Sequence, residues 1–138
     1  MLGPEDNRFW HLNHDDSEAY IGDMNRPLKH FTNAGDAYRL VETPLQDLIY
    51  QTIGLYGPEP KSVKEADEAM LYAEMEQLLP KPEFNMASNN PFGRSEAANI
   101  QIEEWTPRKA EQMFLDRFEY LNNKRNKQWE QHKLVSSR

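Results

Sequence analysis

The sequence contains no cysteine among its 138 residues. That excludes disulfides and thiolate metal sites, and it is compatible with a reducing compartment. No apolar run approaches the roughly 18 residues needed to cross a bilayer. The N-terminus lacks a basic stretch followed by an apolar one, so no secretion signal is read and no membrane association is expected. The cytoplasm is the expected location. Cations are in deficit, with 16 Lys+Arg against 23 Asp+Glu and a formal net charge of −7. General nucleic-acid binding is not expected from such a chain, because phosphate contacts need Lys and Arg.

What is present fits one soluble globular domain. Apolar residues make up 38% and charged residues 28%, a composition that supports a modest core rather than disorder. Nine prolines punctuate the chain. The basic residues gather late: Lys124, Arg125, Lys127, Lys133 and Arg138 face one carboxylate, Glu130. A solvated basic helix end complements the helix dipole, and a phosphate or partner contact is the alternative.

The most informative stretch is His11-Leu12-Asn13-His14-Asp15-Asp16-Ser17-Glu18. Read as one helix from about Gly3-Pro4 to Gly22, it places His11, His14, Asp15 and Glu18 at i, i+3, i+4 and i+7, on one face. Two imidazoles and two carboxylates make a poor core stripe. They make a good donor set for a divalent metal, since His nitrogen and carboxylate oxygen suit Zn, Mn, Fe or Co.

Further elements follow. Asn25-Arg26-Pro27 reads as a turn or short extended piece. Thr43-Pro44-Leu45-Gln46 reads as a capping box that opens a second helix, with Leu45, Leu48, Ile49, Thr52, Ile53 and Tyr56 as its stripe and Gly57-Pro58 as its stop. Ser62-Val63-Lys64-Glu65 reads as another capping box, followed by a stripe of Val63, Ala66, Met70, Ala73 and Leu78. Asp67 lies beside that stripe. Facing the core, it would need a partner or a metal, whereas a slightly rotated helix leaves it at the rim.

Residues 80–104 read as a long loop, with Phe84, Met86 and Phe92 as anchors and residues 99–102 as a short strand or extended arm. Thr106-Pro107 opens the last helix, with Ala110, Met113, Phe114, Arg117, Phe118 and Leu121 on one face, Trp105 as a hydrophobic staple and Trp129 as a late contact near its end at about Lys133. No alternating strand pair is found, so the expected fold class is all-α.

The run His14-Asp15-x-x-Glu18-Ala19-Tyr20-Ile21-Gly22-Asp23-Met24-x-Arg26-Pro27-Leu28-Lys29 resembles the central motif of HD-domain nucleotide phosphohydrolases. The similar members are small phage and bacterial proteins related to 5′-deoxynucleotidase and to phage dATP triphosphohydrolases. Tyr38 to Gly54, Val63-Lys64-Glu65-Ala66-Asp67 and Trp105-Thr106-Pro107 through Phe118 resemble later family helices in order, so the similarity covers residues 4 to about 121. The resemblance implies an HD-like helical bundle over residues 1–121, a basic helix end over 122–138, and, for a phage-encoded chain, the host cytoplasm.

It also implies roles. His14, Asp15 and Asp67 match three metal ligands for a divalent ion (Mn, Co, Zn, Fe or Mg). Glu18 matches the carboxylate that orients or deprotonates water, and Asp23 the acid near the sugar and scissile phosphate. Lys29 and Lys64 match lysines that approach the phosphates of a nucleotide substrate. Family members carry a longer N-terminal segment that supplies a first ligand histidine and an arginine. Here Met1 stands just before the expected His-Asp helix, His11 replaces a usual small residue, and Asn13 replaces a usual leucine.

Two functions from different classes are therefore expected. One is a metal-dependent (deoxy)nucleotide phosphohydrolase, with His11 or water at a fourth ligand position. The other is an HD-like scaffold that binds a partner chain or a second copy of itself to supply the absent helix, including one half of a split enzyme. A fragment arising from a wrong start codon is the blander alternative, and His11 as a surface residue is the blander reading of that side chain.

Overall fold

The computed structural model describes residues 7–78 and 99–136, with side chains through Glu130. The first turns at Gly3-Pro4, the loop anchors Phe84, Met86 and Phe92, and Arg138 lie outside the described residues. The described residues are all-α, with no strand among them. The helices are α1 (Arg8–Leu12), α2 (Glu18–Ile21), α3 (Arg26–Phe31), α4 (Asn33–Thr52), α5 (Lys61–Gln77) and α6 (Pro107–Ser136). None is long and apolar enough to cross a membrane. Two compact units result: Trp10–Glu59, and the described residues up to Phe9 together with those from Pro60 onward.

In the Trp10–Glu59 unit the expected single helix running to Gly22 does not form. It breaks over residues 13–17, between α1 and α2. Asn13, Asp15, Asp16 and Ser17 are weak helix formers, because their short polar side chains compete with the backbone ladder. Asn25, in extended backbone (ψ 141°), caps α3 by accepting from the Leu28 N–H at 3.1 Å, and Pro27 follows in the first turn. The expected extended piece is thus confined to the cap, and Arg26-Pro27 already belong to the helix.

The expected helix start at Thr43 is also absent, because α4 begins ten residues earlier at Asn33 and runs through Pro44. Proline cannot serve the carbonyl one turn back, that of Leu40. Both Leu40 and Pro44 lie on the exposed face, where water can replace the lost donor. Gly35 lets α3 and α4 meet: a Cβ there would overlap the backbone carbonyl of Lys29. The guanidinium of Arg39 closes the same corner, donating to Lys29 O and to Asp36 Oδ1, each at 2.6 Å.

α4 stops earlier than Gly57-Pro58. Gly54 adopts φ 77°, Gly54 N–H donates to Gln51 O at 3.0 Å, and Leu55 N–H donates to Tyr50 O at 2.7 Å. This is a Schellman closure, which requires the left-handed conformation at the glycine. The buried side of α4 is Gln46 and Tyr50, flanked by half-buried Leu45, Ile49 and Ile53, while Leu48, Thr52 and Tyr56 are exposed. Trp10 packs edge-on against Tyr50 at 4.6 Å between centroids, and the Tyr50 hydroxyl donates to Glu59 Oε2 at 2.7 Å.

In the other unit, α5 starts at Lys61 behind an extended Pro60, with no side-chain cap from the expected box. Its buried positions are Val63, Ala69, Tyr72 and Ala73, so the stripe is rotated from the expected one, and Met70 and Leu78 are exposed. Ile100 and Ile102 pack on Tyr72 and Ala73. Between them Gln77 acts as a substitute strand edge: its Nε2 donates to Ile100 O at 2.7 Å and its Oε1 accepts from Ile102 N–H at 2.9 Å. An extended arm rather than a strand therefore leads to α6.

The α6 start is as expected. Thr106 Oγ1 accepts from the Lys109 N–H at 3.3 Å, with Pro107 as the first helical residue. Leu121 is buried and Phe114 and Phe118 half-buried, but Ala110, Met113 and Arg117 are exposed. Phe118 meets Phe9 at 5.0 Å, and Arg125 lies over the Phe9 ring at 4.5 Å. Trp105 is 41% exposed, Lys109 sits over its ring at 4.7 Å and its Nε1 donates to Glu103 at 3.0 Å. The helix continues past Lys133 to Ser136, and Trp129 is 65% exposed rather than a core contact.

Candidate metal centre

The candidate site residues are distributed between the two units. His11, His14, Asp15, Glu18, Asp23 and Lys29 lie in Trp10–Glu59, whereas Lys64 and Asp67 are exposed positions of α5. Of the core and rim positions left open for Asp67, the rim is the one observed. The single helical face of four ligands is not: the break between α1 and α2 gives these residues new directions.

Within the break, the backbone winds through three-residue contacts. Asn13 N–H donates to Trp10 O at 3.2 Å, Asp16 N–H to Asn13 O at 3.4 Å, and Glu18 N–H to Asp15 O at 2.9 Å. Asn13 and Ser17, at the two ends, are 0% and 2% exposed. Both are tied to Gln46. Its Nε2 donates to Asn13 O at 2.7 Å, and its Oε1 accepts from Ser17 N–H at 2.9 Å.

His14 and Asp15 sit on this turn. The His14 Nδ1 atom is 2.9 Å from the carbonyl of His11. A carbonyl only accepts, so Nδ1 carries the proton and a neutral ring keeps its lone pair on Nε2. Nε2 lies 2.9 Å from Asp15 Oδ2. A lone pair directed at a carboxylate oxygen is repulsive unless a cation, either a proton or a metal, lies with them. Two ligand atoms each about 2.1 Å from one ion, at right angles, stand about 3 Å apart. The donor set and its spacing thus fit a divalent ion. What His11 contributes to this pair is its backbone carbonyl, which fixes the ring as outer partners of metal-bound histidines do. Its own imidazole is pushed below its ordinary pKa by burial and then by His14, with Glu59 opposing.

Negative charge accumulates beside the pair. Glu18 is raised to about 7, first by burial and then by Asp15 and Asp23, with Lys29 opposing and Glu42 adding. Asp16 is raised to about 6, again chiefly by burial. Lys29 donates to Glu42 Oε1 at 2.7 Å and lies 5.2 Å from the Tyr38 ring centre. Burial works against its charge, but the Glu42 bond outweighs this and holds its pKa above the usual value. Tyr38 in turn donates to Gly22 O at 2.6 Å, beside exposed Asp23.

Sequence reasoning missed Asp16, Glu42 and Gln46. Gln46 had a signal, a polar residue within an apolar helical stripe, but it reads equally well as a capping residue. Comparison with family models, with curated proteins and with solved structures returns no match.

Proposed function

We propose that the chain is a metal-dependent phosphohydrolase of (deoxy)nucleotides. The observation that carries this reading is the 2.9 Å approach of His14 Nε2 to Asp15 Oδ2, with Nδ1 committed to the His11 carbonyl. His14 offers a ring nitrogen and Asp15 a carboxylate oxygen as ligands for one divalent ion, and the resemblance assigns Asp67 as a further ligand. Such an ion, when bound, lowers the pKa of a bound water and polarises a phosphoryl oxygen.

Glu18 is the proton acceptor for the attacking water. Its raised pKa, about 7, matches a general base working near neutral pH. Asp23 is assigned to the sugar and scissile phosphate. Lys29 and Lys64 are assigned to phosphate charge. An ammonium has three donors, and the Glu42 bond uses one of those on Lys29.

The test is phosphate release from deoxynucleotides with Mn, Co or Zn supplied. Release by the wild type and its loss in Asp67→Ala is the expected result. A folded protein that takes up no metal and releases no phosphate overturns the reading.

A second reading, a catalytically impaired scaffold or one half of a split or oligomeric enzyme, draws on a different observation. Phe31 is 85% exposed, and Leu40, Val41 and Leu48 form an exposed apolar face of α4, Leu40 being 78% exposed. Contiguous apolar surface of this kind marks interfaces. Sedimentation discriminates: a dimer or a stable hetero-complex supports it, and a strict monomer without a partner counts against it.

A further inference from the structure

In an α-helix the carbonyl of residue i accepts from the N–H of residue i+4. Asn13 O and Ser17 N–H are such a pair, and they do not bond each other. The Gln46 amide stands between them, its Nε2 on the carbonyl at 2.7 Å and its Oε1 on the N–H at 2.9 Å. One side chain has replaced a backbone hydrogen bond with two bonds of its own, so neither buried group is left unsatisfied. Insertion into the ladder is a recognised cause of helix breaks.

The break has a consequence for chemistry. Neighbouring residues on a regular helix point about 100° apart and do not face each other. His14 and Asp15 are neighbours, yet Nε2 and Oδ2 are 2.9 Å apart. Only the opened turn permits that approach. Two local bonds of the turn, at Asn13 and Asp16, are long at 3.2 and 3.4 Å, and the third, Glu18 N–H to Asp15 O, is 2.9 Å. The short, buried bonds come from Gln46.

We infer that Gln46 is a positioning residue: by wedging open the Asn13–Ser17 helical bond it sets His14 and Asp15 as adjacent ligands. This rests on the metal reading of that pair. Gln46 touches neither ligand side chain and acts through the backbone on both sides of them.

Gln46→Met keeps the length of the side chain and removes both bonding atoms, allowing Asn13 O and Ser17 N–H to close the helix. Gln46→Glu keeps the acceptor for Ser17 and loses the donor to Asn13. The probes are Mn and Co alone, with no nucleotide. The expected order of metal affinity is wild type, then Gln46→Glu, then Gln46→Met, with a drop of tenfold or more in the last, in line with losses on removing support from metal ligands. Backbone chemical shifts of residues 13–17 move toward helical values in Gln46→Met, a change that general destabilisation would not produce. Should Gln46→Met not fold, the drop in Gln46→Glu and the altered Co absorption spectrum carry the test. Metal binding in folded variants equal to wild type overturns the role of Gln46 and leaves the metal reading standing. A wild type that binds neither ion overturns the metal reading, and this inference with it.

Discussion

His14 presents Nε2 to Oδ2 of Asp15 at 2.9 Å, while the opposite ring nitrogen is held by a backbone carbonyl. The tautomer is therefore set by the fold. In metal-free protein, nitrogen NMR of His14 is expected to show a protonated Nδ1, the nitrogen held by the His11 carbonyl. Asp15→Asn, which replaces the charge by an amide, is expected to reduce Mn or Co affinity at least about tenfold, roughly 1.4 kcal/mol, with little change in folding. Unchanged affinity would remove Asp15 from the ligand set.

Gly35 meets the carbonyl of Lys29 with no room for a Cβ. The obstacle is backbone, which a rotamer change cannot relieve. Gly35→Ala is expected to cost about 1–3 kcal/mol, the range of overpacking. It is also expected to loosen the Arg39 bond to Lys29 O. Urea denaturation measures it, and a stability equal to wild type would contradict the packing described for α3 and α4.

Glu18 titrates at about 7 in the folded chain against 4.5 as an ordinary carboxyl. Between those values the native state binds the extra proton. Stability from this group is thus fully present below about pH 4.5 and is lost as pH rises through about 7. Glu18→Gln removes the titration. In chelator-treated protein the variant is expected to gain stability over wild type at pH 8, and to lose that advantage at pH 4.5. Denaturation midpoints at both pH values give the sign, and an advantage independent of pH would contradict the shift.

Tyr50 donates to Glu59 and packs on Trp10. Tyr50→Phe keeps the ring contact and deletes the hydroxyl, so it isolates the hydrogen bond. A loss of about 1 kcal/mol is expected, typical of a single net hydrogen bond. Tryptophan fluorescence during unfolding reads it, and no loss would show that Glu59 is as well solvated without it.

The all-α class was legible because its signals are local. Thr106-Pro107 opens α6 through atoms within three residues, and the apolar period of α5 survives a small rotation. The break between α1 and α2 was not legible, because the residue that causes it lies 29 positions beyond Ser17. Read locally, Gln46 completes a capping box with Thr43 and Pro44. In the fold its amide has a better use, on two buried backbone groups, and α4 runs straight through. The candidate ligands were legible as residue types. Their geometry was not, since a continuous helix would have pointed His14 and Asp15 apart. Asp67 shows the same limit: its spacing allowed either a core or a rim position, and the turn of α5 decided for the rim.

The central claim is that the neighbouring His14 and Asp15 hold one divalent ion. Calorimetric titration of the chelator-treated full chain with Mn or Co tests it most directly. One equivalent bound per chain, with binding lost in His14→Ala and in Asp15→Ala while both variants remain folded, is the predicted result. A folded wild type that binds neither ion, or a His14→Ala variant that binds as wild type does, would contradict it.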